Sequence, residues 1–158
     1  MADGERYTFA NAAAAPAGIA DTIRTMIEGW DAMGESWREV CHPDIDFTLG
    51  NIHTVGVDAA AASRASTFHP TNGPLTNVSH VLKELYPKAG HPDGATQDVV
   101  FTGTVTYTVL GGKDMVEDFA TFYRLLKQSE GTYKIKTARI YINTVALTQA
   151  MAELQKQS

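Results

Sequence analysis

The sequence predicts an α+β domain in which three N-terminal helices cover one face of a curved, mostly antiparallel β-sheet and leave a pocket between the two layers. Three observations lead there. From Val99 to Asn143 the chain reads as three long strands, and in the first of them Val99, Phe101, Gly103, Val105, Tyr107 and Val109 alternate with Thr102, Thr104, Thr106 and Thr108. Gly111-Gly112 and Ser129-Glu130-Gly131 stand where tight reversals are needed. Upstream, Ile19, Ile23, Met26, Ile27 and Trp30 fall three and four residues apart, which makes one apolar helical stripe. A meander of long strands cannot bury its apolar face alone, so the helices must cover it, and the space they leave becomes a pocket.

Taken in order, residues 1–16 read as a flexible, Ala-rich arm in which Tyr7 and Phe9 could dock on a neighbouring surface, and residues 17–155 read as one domain. The first helix is expected over Ala17 to Met33, ended by Gly34. A short second helix follows over Glu35 to Cys41, stopped by His42-Pro43-Asp44. Ile45, Phe47 and Leu49 alternate as a strand, Gly50-Asn51 turns the chain, and Ile52 to Val55 forms a short partner. An Ala-rich third helix is expected from Val57 to Phe68, closed by the breaker cluster His69 to Pro74. Leu75 to Leu85 then reads as a strand with Val78, His80 and Leu82 on one face, followed by a mobile loop from Pro87 to Thr96. After the meander comes a helical tail from Val145 to Gln155.

Composition narrows the function classes. A net charge of −5 gives no electrostatic attraction for nucleic acid or an anionic membrane, and no apolar run is long enough to span a bilayer. The N-terminus lacks the basic and apolar regions of a signal peptide, so the cytoplasm is the expected location. The single cysteine, Cys41, sits in an apolar run and is read as a packing residue. The histidines His53, His69 and His91 lack metal-site spacing, and no nucleotide or serine-hydrolase motif is present, so neither a metal nor a cofactor is expected.

Several pieces carry a family resemblance: Trp30-Asp31 closing the first helix, Trp37-Arg38 followed by HPDIDF, the strand LTNVSHVL with His80, and the ending EGTYKIKTARIYINTVAL. From Ala17 to Ala150 the chain resembles the nuclear transport factor 2-like superfamily, in particular its SnoaL-like polyketide-cyclase and scytalone-dehydratase-like branch. Asn143 stands where the family often has Asp. The resemblance implies the cone fold described above and a cofactor-independent enzyme of small-molecule, secondary metabolism, although the fold also hosts non-enzymatic binders. In scytalone dehydratase a helix-end aspartate orients a strand histidine as acid/base, and these positions match Asp31 and His80. Trp30, Phe47 and Phe119 fall near positions where that relative has hydrogen-bonding side chains. The resemblance thus implies a different substrate.

The candidate chemistry follows. His80, oriented by Asp31, is the first choice for acid/base work, against the reading of a core histidine. Tyr107 is either a hydroxyl donor in the pocket or a core tyrosine reaching a rim water. Glu117 and Asp118 must point to opposite faces, and the family pattern puts Glu117 inward with Phe119 and Thr121, as a general acid or base or as a solvated acid. Arg38 either enters the cavity to hold an oxyanion or pairs with Asp44 or Asp46. Trp30, Phe47, His53, Phe68, Phe101, Phe119 and Thr121 are expected to contact a hydrophobic polycyclic or carbonyl substrate that undergoes cyclisation, rearrangement or dehydration. The alternative is a non-catalytic binding module, and the threonine face of Thr102 to Thr108 suits a homodimer under either reading.

Overall fold

The period-two runs become four long strands: β3 (Leu75–Pro87), β4 (Thr96–Val109), β5 (Lys113–Ser129) and β6 (Thr132–Ile142). Two earlier strands, β1 (Cys41–Leu49) and β2 (Ile52–Val55), complete one sheet in the order β2-β1-β6-β5-β4-β3. Every neighbouring pair is antiparallel except β1 and β6, which run parallel. The computed structural model describes residues 4–71 and 73–156; residues 1–3 of the expected arm and Asn72 of the breaker cluster lie outside the described residues. Among the described residues no helix is long and apolar enough to cross a membrane.

The apolar stripe forms helix α1 (Ile19–Asp31), with Ile19, Ile23, Met26, Ile27 and Trp30 all buried against the sheet. Helix α2 (Val57–Thr67) follows β2, and α3 (Val145–Gln155) follows β6. The expected second helix over Glu35 to Cys41 is instead a single 3-10 helix, Ser36–Val40, so the three N-terminal helices reduce to two α-helices and one short turn. Its packing explains why. Trp37 is driven fully into the core, its indole N–H donates to the Gly34 carbonyl at 3.1 Å, and Cys41 already belongs to β1. Gly29 makes this possible, because a Cβ there would lie 2.6 Å from the Trp37 backbone nitrogen. Pro43 is accommodated inside β1 by an irregularity against β6 between Cys41 and Asp46, where the missing N–H is not required.

The arm lies against the sheet through Tyr7 and Phe9. Tyr7 and Phe9 are 7% and 3% exposed, and Phe9 packs edge-on against Phe101 with ring centroids 5.7 Å apart. The backbone joins the outer strand β3: Leu82 N–H donates to the Arg6 carbonyl at 2.7 Å, and Ala10 N–H donates to the Lys83 carbonyl at 3.0 Å. The Asn11 side chain both accepts from Leu85 N–H and donates to its carbonyl. These bonds fall at the register shift of β3 between Leu82 and Leu85, where pairing with β4 is interrupted. The arm therefore covers an edge that would otherwise offer free backbone groups.

The loop expected to be mobile is also pinned. Asp93 accepts hydrogen bonds from the backbone N–H groups of Ala95 and Thr96. His91 reaches Asp98 at 3.1 Å, and Asp98, buried on β4, takes a two-pronged bond from its cross-strand partner Arg124 at 2.8 and 2.9 Å. The Arg124 guanidinium, with His91, lowers the Asp98 carboxyl to about 2.

Two tests follow from this packing. Because the folded Asp98 titrates below its unfolded value, its contribution is complete above about pH 5 and is lost as pH falls through about 2. Screening at the half-exposed Arg124 leaves roughly 1–2 kcal/mol; denaturant melts should show the wild type losing that much more stability than Asp98→Asn between pH 5 and pH 2, and parallel profiles would contradict the assignment. Burial pushes the Cys41 thiol up to about 12. The native protein should therefore leave Ellman's reagent unreacted and release one thiol equivalent only in guanidinium.

Candidate functional site

Strand register decides which side chains meet on the concave face. His80 on β3 pairs with Val105 on β4, which pairs with Glu117 on β5; one row along, Leu82, Gly103, Phe119 and Ile142 are aligned across four strands. Gly103 is needed in that row. A Cβ there would collide with the Val81 carbonyl and lie 2.7 Å from the Phe119 ring, so the glycine lets Phe119 lean across β4. The Phe119 ring then stands edge-on to the His80 imidazole, with centroids 5.3 Å apart and an interplanar angle of 84°.

Asp31, the last residue of α1, lies over β3 with its side chain only 4% exposed. A carboxylate at a helix C-terminus opposes the helix dipole, so it must be held by other groups. Three donors hold it. His80 Nδ1 is 2.5 Å from Oδ1, the His80 backbone N–H donates to Oδ2 at 2.7 Å, and the Tyr7 hydroxyl donates to Oδ2 at 2.9 Å. An ionised carboxylate only accepts, so Nδ1 carries a proton and donates to it, and in the neutral imidazole the lone pair then belongs to Nε2. The Tyr7 phenol is pushed above its ordinary range by burial and by the Asp31 charge, and stays a donor.

Between the layers lie two adjoining chambers. The smaller, about 40 Å³, is bounded by His80, Val105, Phe119, Thr121, Tyr123 and the inner surface of α1. The larger, about 350 Å³, lies between the sheet, α2 and α3, where Leu147, Thr148 and Ala152 form part of its wall. Trp30, Phe47, Leu49, Phe68, Tyr107 and Ile142 belong to both. These shared residues form an aromatic partition: Trp30 stacks on Phe47 at 5.5 Å, and Phe68 stacks on Tyr107 at 6.3 Å. The Tyr107 hydroxyl has no hydrogen-bond partner among the described residues, and its pKa is raised by burial first, then by the charges of Asp31 and Glu117. It remains a neutral phenol with a proton to donate.

The expected residues divide cleanly. Asp31, His80 and Tyr107 come together, and Trp30, Phe47, Phe68, Phe119 and Thr121 line the chambers. Glu117 lies on the concave face, half-buried, but lines neither chamber, whereas Asp118 is bonded to Lys83 on the convex side at 2.9 Å. Arg38 does not enter the cavity; it pairs with Glu35 at 2.9 Å and with Asp58, because the 3-10 turn points it towards the start of α2. Its partners are thus neither Asp44 nor Asp46. His53 is exposed on the sheet edge and bonded to Asp46 at 2.7 Å. Phe101 is fully buried behind the chambers, among Phe9, Phe119 and Tyr123. Among the described residues no group of three or more His, Cys, Asp or Glu is placed to hold a metal ion.

Two residues of the site escaped the sequence reading. Tyr7 had a faint signal, the two-residue spacing with Phe9 that lets both face the core. Arg64 had none beyond its place in an Ala-rich helix. It is buried, lines the larger chamber, donates to the Trp30 carbonyl and lies over the Trp30 ring at 5.0 Å.

No protein-family model and no curated protein matches the chain. Solved structures do. The hexachlorocyclohexane dehydrochlorinase LinA-type3 from Novosphingobium barchaimii LL02 superposes with a TM-score of 0.68 at 13% identity, covering 80% of this chain and 84% of its own. A candidate scytalone dehydratase from Novosphingobium aromaticivorans gives 0.64 at 13% identity, with 80% and 82% covered. A protein with a cystatin-like fold from Caulobacter vibrioides gives 0.60 at 15% identity, with 87% and 96% covered. At these identities the likeness is one of architecture, and that architecture is the nuclear transport factor 2-like fold.

Proposed function

We propose that the protein is a cofactor-independent, lyase-type enzyme that moves a proton on a hydrophobic substrate. The observation that carries this reading is the Asp31–His80 pair: a histidine 13% exposed, its Nδ1 tied at 2.5 Å to a carboxylate held by three donors, at the wall of an apolar chamber. In this reading the larger chamber holds the body of the substrate and the smaller admits the edge that reacts. His80 Nε2 takes a proton from a carbon next to a carbonyl or leaving group, and the imidazolium that results is stabilised by Asp31. The C–H electrons form the new double bond. The departing group leaves with its bonding pair, and where it is hydroxide it takes the proton back from His80 as water. Tyr107 donates to the oxygen that gains charge, an interaction strengthened by the apolar surround.

Dehydrochlorination and scytalone dehydration, the activities named for two of the similar structures, are both eliminations of this kind. Cyclisation and rearrangement of a polycyclic or carbonyl compound use the same groups, and a role in secondary metabolism remains part of the proposal. A second reading, a non-catalytic binder, draws on the larger chamber, whose lining is mostly apolar and holds no acid/base pair.

Proton abstraction can be read without knowing the leaving group. In D2O, with a panel of bicyclic aryl ketones, the wild type should incorporate deuterium next to the carbonyl, and His80→Ala should lower that rate about 10²- to 10⁴-fold. Equal rates in the two proteins would end the catalytic reading, and ligand binding without exchange in the wild type would favour the binder. Tyr7→Phe removes one of the three bonds to Asp31. It should reduce kcat about fivefold with KM unchanged, a split that a loss of packing alone would not produce.

A further inference from the structure

Helix α2 carries one charged side chain into the cavity. Arg64 is 6% exposed, yet no carboxylate lies within ion-pair distance of it among the described residues. The acids nearest in effect, Glu35 and Asp31, act on it only through longer-range attraction, and burial lowers its pKa. Its one hydrogen bond runs from Nη2 to the Trp30 carbonyl in the last turn of α1, which already accepts from the Met33 backbone N–H at 3.2 Å. Nε is shut off from solvent with no hydrogen-bond partner among the described residues.

Bonding one carbonyl and covering one indole ring do not require a charge. Any neutral donor of similar length could serve, whereas a guanidinium keeps its charge at every accessible pH and is costly to bury unpaired. The neighbouring position offers a second free group: the Ser63 hydroxyl lines the same chamber and bonds nothing among the described residues. Around these two groups the wall is mostly hydrophobic, with Trp30, Phe47, Leu75 and Ile142. The chamber thus combines an unpaired planar cation, a hydroxyl and an apolar body of about 350 Å³, room for a bicyclic molecule.

We infer that the larger chamber binds hydrophobic molecules carrying an anionic oxygen group, such as an aromatic carboxylate, with that group held by Arg64 and Ser63. This deepens the proposed function, since it treats the two chambers as one substrate site and names a charge on the part of the substrate remote from His80. It does not depend on turnover.

Isothermal titration calorimetry with 2-naphthoate and its neutral isostere 2-naphthamide tests it. The wild type should prefer the carboxylate by about tenfold or more, the margin of one charge-assisted contact. Arg64→Gln should abolish the preference. Because that change also removes a bond to the Trp30 carbonyl, Thr67→Glu provides an independent check: it keeps Arg64 in place and supplies an internal carboxylate one helical turn away, and it too should abolish the preference. His80→Ala should retain it even if deuterium exchange is lost, so failure of the catalytic reading stays distinct from failure of this one. Equal affinity of the wild type for both probes, no binding of either below millimolar concentration, or a preference that survives in Thr67→Glu would overturn the inference.

Discussion

The carboxylate of Asp31 is the point on which three otherwise separate parts of the chain converge. It ends α1, accepts from the backbone and ring of His80 on β3, and accepts from Tyr7 on the arm. Each of these placements would be unfavourable alone: an acid at a helix C-terminus, a histidine on an apolar strand face, a phenol in an Ala-rich terminus. Together they satisfy one another. Exchanging water for three fixed donors is what allows a charge to remain under a helix with so little exposure.

The rest of the site is arranged around that fixed group by the sheet. Register aligns His80 with the row that includes Val105, and the missing side chain at Gly103 gives Phe119 room to brace the imidazole. The two stacked aromatic pairs, Trp30 with Phe47 and Phe68 with Tyr107, then divide the space between the layers into a small chamber beside His80 and a large one under α2 and α3. Tyr107 belongs to both, which is why its unpaired hydroxyl is well situated to meet a polar atom of a bound molecule.

Much of this was legible because it rests on periodicity. The stripe from Ile19 to Trp30 and the alternation from Val99 to Val109 depend on local spacing alone, and both elements formed with those faces buried. The Asp31–His80 pair was reached through family resemblance, since nothing in the spacing of two residues 49 apart fixes a contact. What escaped depended on tertiary placement. Arg38 reads in sequence either as a cavity arginine or as a partner of Asp44 or Asp46, but a 3-10 turn sends it to Glu35 and Asp58; Arg64, on an alanine-rich helix, lines the cavity instead. The arm's composition points to a flexible segment in which Tyr7 and Phe9 could dock, and the backbone bonds to Leu82 and Lys83, invisible in sequence, show where it lies on β3.

The partition between the chambers has an implication for how such a site can diversify. The wall beside His80 is built from α1 and the central strands, where every change disturbs register or the core. The wall of the larger chamber is supplied in good part by α2 and α3, two helices at the margin of the sheet whose inward positions include Ala60, Ser63, Thr148 and Ala152. Substituting these small residues alters the shape offered to a visiting molecule while leaving the buried carboxylate and its three donors untouched. The shape of the larger chamber and the Asp31–His80 pair are therefore written in separate parts of the chain, and the first can change while the second stays constant.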